Sequence, residues 1–152
     1  MCLNWPNMGL LYYNYKQKND WTCGPAIART ILHHFGEKVS IAEMIRILRT
    51  TRKGTSHKNV LRFFRKKEHK FFVRKNAQLK DIKKYLKNYW IIVAYLIPSQ
   101  KEYHYSIVKH LNTKRIYFHD TWFGSSHSYT LAYFLKNWKD DEVNCWMLVV
   151  KK

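Results

Sequence analysis

The chain has little of what would place it in several broad classes. Only 3 Cys occur in 152 residues, an odd number too small for a disulfide framework, so at least one thiol is unpaired. That points to a reducing compartment and to a cytoplasmic protein. Five Gly and 3 Pro, beside 46% hydrophobic and 16% aromatic residues, exclude collagen-like, low-complexity and disordered chains. Acids are scarce: 10 Asp and Glu face 28 Lys and Arg, for a formal net charge of +18. A charge of that size favours an anionic partner and carries no information on fold. Long apolar runs are missing too. The longest, Tyr89 to Ile97, has nine residues where a membrane-spanning helix needs about 20. The start, MCLNWPNMGLLYYNYK, lacks a basic leader followed by an apolar core and does not read as a signal peptide. With no repeat and no linker, residues 1–152 are expected to form one domain, large enough to bury a core without staples.

What is present has a clear order. Ile27, Thr30, Ile31, His34 and Phe35 share a helical face, with Pro25 in the first turn and Gly36 as the stop. Ser40 with Glu43 three residues on reads as a capping box for a second helix. A third helix follows Gly54-Thr55-Ser56, a short strand covers Phe71 to Val73, and a fourth helix runs through Leu79, Ile82, Tyr85 and Leu86. From residue 89 the pattern changes. Tyr89 to Ile97 reads as a strand buried on both faces. Tyr103–Leu111 and Lys114–His119 read as two strands turning at Asn112-Thr113. A helix over Leu131–Trp138 and a strand over Cys145–Val150 complete the chain. Helices first and strands second predict an α+β domain with an antiparallel sheet. Between Arg46 and Lys87 stand 16 Lys and Arg but only Glu68 and Asp81, a net +14 interleaved with aromatics such as Phe63, Phe64, Phe71 and Phe72. This basic segment, 46–87, could take up nucleic acid or an acidic protein.

The most informative stretch is QKNDWTCGPA, residues 17 to 26. A cysteine at the start of a helix meets unpaired N–H groups and the positive end of the helix dipole, which favour the nucleophilic thiolate. Gln17, six residues earlier, could donate an amide N–H to an oxyanion beside the N–H of Cys23. A thiol nucleophile needs a base, and the base an orienter. His104 opens the strand HYSIVKHL and Asp120 ends the next, so a hairpin would bring the two together in front of Cys23. His110, His119 and His127 are rival bases, although strand alternation turns His119 away from Asp120. Cys2 and Cys145 are expected to be structural, with Cys145 packed at the start of the last strand. Despite 8 His, no Cys-x-x-Cys or His-x-x-x-His occurs, and the adjacent His33 and His34 diverge on a helix, so neither a metal nor another cofactor is expected.

Gln17-x5-Cys23-Gly24-Pro25-Ala26 resembles the active-site start of the double-glycine leader-peptide peptidases, papain-like cysteine peptidases known as processing domains of bacteriocin exporters. Their second motif, a His opening a strand and then Asp-Pro-x-x-Gly, stands here as His104-Tyr105-Ser106 and Asp120-Thr121-Trp122-Phe123-Gly124. The resemblance extends through Gly54-Thr55-Ser56, WIIVAYL and LAYFLKNW. It implies a papain-like fold, with a helical half carrying Cys23 on a sheet carrying His104 and Asp120. It also implies a peptide substrate in the cleft between them, Cys23 as nucleophile, His104 as base then acid, Asp120 as orienter and Gln17 as oxyanion donor. Thr22 departs from the family's usual Asp, and Thr121 from its Pro. Two other functions stay open: acyl or peptidyl transfer through the same acyl-enzyme, and a basic nucleic-acid- or partner-binding protein on the same fold.

Overall fold

The structure, a computed structural model, describes residues 15–152. Cys2 therefore lies outside the described residues. Helices α1 (Cys23–His34), α2 (Ile41–Ile47) and α3 (His57–Lys66) come first. Strand β1 (Phe71–Arg74) and helix α4 (Leu79–Tyr85) follow, then β2 (Tyr89–Ile97), β3 (Glu102–Leu111), β4 (Arg115–Asp120), β5 (Gly124–Thr130), α5 (Leu131–Asn137) and β6 (Met147–Lys151).

Local chemistry sets the helix ends. Ser40 accepts from the Glu43 N–H at 3.1 Å and Ser56 from the Asn59 N–H at 3.3 Å, so α2 and α3 each start on a hydroxyl cap. The chain turns out of α1 at Gly36, whose φ of +82° suits a residue without Cβ. Asp81 accepts from the Gln78 N–H and closes a capping box at the start of α4.

Six strands form one antiparallel sheet in the order β1-β6-β2-β3-β4-β5. The C-terminal strand thus sits between β1 and β2, with Val149 opposite Phe72 on one side and Ile91 on the other. Strand β2 explains why its sequence has no polar face. Trp90, Ile92 and Ala94 join the core under α1–α3, with Ile31, Met44 and Phe64. Ile91, Val93 and Tyr95 join a second core with Ile82 of α4 and Phe134 and Trp138 nearby. The helices cover both sides of the sheet, and side-chain alternation feeds both cores.

One expectation needs correction, and one strand is added. Cys145 does not open the last strand. It precedes β6, is half-buried and has a φ of +48°, so the strand begins at Met147. Strand β5 was not foreseen, because GSSHSYT is polar and covers an edge, where no apolar alternation is demanded.

One close approach joins α1 to the loop before α3. A Cβ placed on Gly24 would lie 2.5 Å from Thr55 Oγ1 and 2.8 Å from its Cβ. Gly24→Ala is expected to lower stability by about 1–3 kcal/mol through overpacking, measured as a fall in the urea midpoint relative to wild type.

Candidate active site

Cys23 is the first residue of α1 and is 4% exposed. Thr22 before it does not cap the helix; its hydroxyl donates to the Asn19 carbonyl at 3.0 Å instead. Among the described residues, no side chain caps the opening N–H groups of α1, the arrangement that favours negative charge at this point. Helix α1 packs against β3, whose third residue is His104, also 4% exposed.

The His104 ring is held through one nitrogen. Its Nε2 lies 2.8 Å from Asp120 Oδ2. A carboxylate can only accept, so Nε2 carries the proton and Nδ1 is the nitrogen left to face Cys23. Burial works against a charged ring here. The bonds to Asp120 and Cys23 outweigh it and raise the His104 pKa to about 10.

Asp120 is fully buried, a costly place for a carboxylate, and it is richly satisfied. Oδ2 accepts from His104, from Ser106 Oγ at 2.7 Å and from the Tyr95 hydroxyl at 3.2 Å. Oδ1 accepts from the N–H groups of Trp122 and Phe123, each at 2.8 Å. Burial alone would raise its pKa, but these donors, His104 foremost, hold it well below the ordinary carboxylate range.

Gln17 is buried and bonded at both ends of its amide. Nε2 donates to the Asn19 carbonyl at 2.7 Å, and Oε1 accepts from the Thr121 hydroxyl at 2.7 Å. Its backbone N–H donates to the Thr121 carbonyl at 2.8 Å. The structure thus joins His104 to Asp120 by a hydrogen bond, packs the helix that starts at Cys23 against the strand of His104 and ties Gln17 to the residue beside Asp120. The rival histidines have other surroundings. His119 is buried with Nδ1 unpartnered, and burial together with Lys109 lowers its pKa to about 4. His127 stacks on Phe123 with ring centroids 4.5 Å apart, and His110 lies beside Tyr117.

Several neighbours had no sequence signal. Tyr95 faces His104 across the β2–β3 register, which only the pairing of the strands reveals. Ser106 was within reach of the sequence, since strand alternation puts it on the same side as His104. A second histidine–carboxylate pair, His57 Nε2 to Asp140 Oδ2 at 2.8 Å, joins residues 83 apart in the chain. His57 Nδ1 lies 2.6 Å from the Tyr105 hydroxyl, and its ring stacks on Trp146.

Cys23, His104, His57 and Asp140 all line one open cleft of about 480 Å³. Arg49, Arg52 and Lys53 from the basic segment form part of its rim, and Asp140, Asp141 and Glu142 another part. Among the described residues, no group of three His, Cys, Asp or Glu is placed to hold a metal ion. Nor, among them, is any helix long and apolar enough to cross a membrane.

The peptidase C39 family model matches residues 12–146. The peptidase domain of Streptococcus ComA, a bifunctional ABC transporter of a quorum-sensing pathway, superposes with a TM-score of 0.74 at 18% identity, covering 91% of this chain and 97% of that one. A double-glycine-motif protease from an AMS/PCAT transporter, in complex with its leader peptide, gives 0.71 at 16% identity, with 92% and 91% covered. A C39-like peptidase from Bacillus anthracis gives 0.73 at 9% identity, with 94% and 96% covered. No curated protein matches the sequence significantly. The structural likenesses show the fold, which is α+β and papain-like, with a helical half on an antiparallel sheet.

The bonds around His104 and Asp120 set a pH signature. His104 is raised from 6.5 to about 10, so its contribution to stability is complete below pH 6.5 and is lost as pH rises through about 10. Asp120 is lowered from 3.8, so its contribution is present above that value and is lost in acid. Wild type is expected to lose more melting temperature than His104→Gln between pH 6.5 and 10. Equal losses by differential scanning fluorimetry would contradict the assignment.

Proposed function

This chain belongs to the peptidase C39 family, and on that premise we propose that it is a cysteine peptidase acting through Cys23, His104 and Asp120. One observation carries the reading. The cysteine at the N-terminus of α1 lines one cleft with a histidine whose Nε2 is held by a buried carboxylate.

In this mechanism the resting pair is a Cys23 thiolate and a His104 imidazolium. An extended peptide lies in the cleft, as the leader-peptide complex of the transporter protease supports. The thiolate attacks the scissile carbonyl carbon, a C–S bond forms, and the C=O electron pair moves onto oxygen. The Cys23 N–H and the Gln17 amide stabilise that oxyanion. As the tetrahedral species collapses, the C–N bond breaks and His104 gives its proton to the leaving amine. Asp120 keeps the ring in the tautomer and orientation that both steps require. Water, deprotonated by His104, then hydrolyses the thioester and restores the thiolate–imidazolium pair. Cleavage after a Gly-Gly pair is the specificity that the resemblance to double-glycine peptidases supports.

The test is cleavage of a synthetic leader-type peptide containing Gly-Gly, followed by mass spectrometry with and without an added amine. Wild type is expected to release the carboxylate product. Cys23→Ala is expected to lose all turnover and Asp120→Asn about 10³–10⁴-fold, in line with loss of the orienting carboxylate in other triads. Turnover by Cys23→Ala would overturn the assignment. An amide product with the amine would place the enzyme among acyl transferases.

A further inference from the structure

We infer that Thr121 is a positioning residue for the oxyanion site: its hydroxyl sets the Gln17 amide so that Nε2 keeps one N–H for the substrate oxygen. The inference rests on Gln17 being the oxyanion donor and goes beyond it, because Thr121 itself touches no substrate.

The argument begins from what each atom can do. The Asn19 carbonyl oxygen can only accept, so the amide end 2.7 Å from it is Nε2. The other end is then Oε1, and the Thr121 hydroxyl 2.7 Å away donates to it. This assignment does not depend on telling O from N by shape. Nε2 has two hydrogens. One is used on Asn19; among the described residues the other makes a longer, weaker hydrogen bond to the Asp20 carbonyl at 3.4 Å, which a reacting oxygen can displace. That second N–H is the one left for a reacting oxygen.

Thr121 is well placed to impose this. It is 1% exposed, and its carbonyl accepts from the Gln17 N–H at 2.8 Å. The pair is therefore clamped twice, once through the backbone and once through side chains. Its chain neighbour Asp120 holds His104. The dipeptide Asp120-Thr121 thus orients the base with one side chain and the oxyanion donor with the other. Without the hydroxyl, Oε1 becomes a buried acceptor with no donor, and the amide turns to find one. A proline at this position would leave the backbone carbonyl and lose the hydroxyl.

Two thiol probes separate this role from general damage. Acetyl-glycyl-glycinal adds reversibly to the thiolate: a C–S bond forms, the C=O π bond breaks, and the oxygen takes the oxyanion position. Iodoacetamide alkylates Cys23 by displacement of iodide and creates no oxyanion. Thr121→Val is expected to weaken the aldehyde roughly 5–10-fold, the range for one neutral hydrogen bond, with the Cys23 alkylation rate within twofold of wild type. Thr121→Ser is expected to restore aldehyde affinity. In a Gln17→Ala background, Thr121→Val is expected to have no further effect. If Thr121→Val does not fold, Thr121→Ala takes its place.

Aldehyde affinity unchanged in Thr121→Val would overturn the inference, as would parallel losses with both probes or an undiminished effect in Gln17→Ala. Failure of wild-type Cys23 to react with either probe would instead overturn the peptidase reading.

Discussion

A carboxylate with no exposure to water must find its donors inside the protein, and the polar architecture of this site follows from how Asp120 does so. Among the described residues it accepts hydrogen bonds from β2 through Tyr95, from β3 through His104 and Ser106, and from the turn after β4 through the backbone N–H groups of Trp122 and Phe123. Each donor fixes one piece of the site. The two N–H bonds shape the turn that presents Thr121. The Tyr95 and Ser106 hydroxyls hold Oδ2 where His104 can reach it. The imidazole then has one nitrogen committed to the sheet and the other facing the helical half. Removing the carboxyl group would leave all of these donors without their shared acceptor, so the arrangement behaves as a unit and not as a set of separable contacts.

The helical half meets this unit at two points. One is Cys23, placed by a helix that starts without a side-chain cap. The other is Gln17, clamped to Thr121. Position is kept by ordinary packing behind them: Ile27 and Ile31 of α1 and Phe64 of α3 share a core with Trp90 and Ile92 of β2. The absent side chain of Gly24 lets the loop carrying Thr55 approach the first turn of α1 closely. That seam lies within the helical half and fixes the start of α1 against the loop before α3.

Much of this was legible in the sequence because it is local. The helix of Cys23 is written in its Pro25, its apolar spacing and Gly36. Strand β2 is written in nine consecutive apolar residues that need two cores. The hairpin that brings His104 towards Asp120 follows from two short strands and a turn between them. What was not legible depends on pairing between distant segments or on polar edges. The insertion of β6 between β1 and β2, the position of Tyr95 opposite His104 and the His57–Asp140 bond leave no mark in local pattern. Strand β5 was hidden because an edge strand facing water needs no apolar code. Cys145 misled because its apolar neighbours suggested a strand, whereas a left-handed residue ends the preceding loop there.

The central claim is that His104, held by Asp120, keeps the Cys23 thiol in its nucleophilic form. The most direct test is the iodoacetamide alkylation rate of each cysteine against pH, read peptide by peptide in wild type and in His104→Ala. Cys145 serves as the internal reference, since burial pushes its thiol up and leaves it poorly reactive near neutrality. The account predicts that Cys23 reacts rapidly at pH 6, far ahead of Cys145, and that His104→Ala abolishes this lead. A Cys23 that reacts no faster than Cys145 at pH 6, or that keeps its lead without His104, would contradict it.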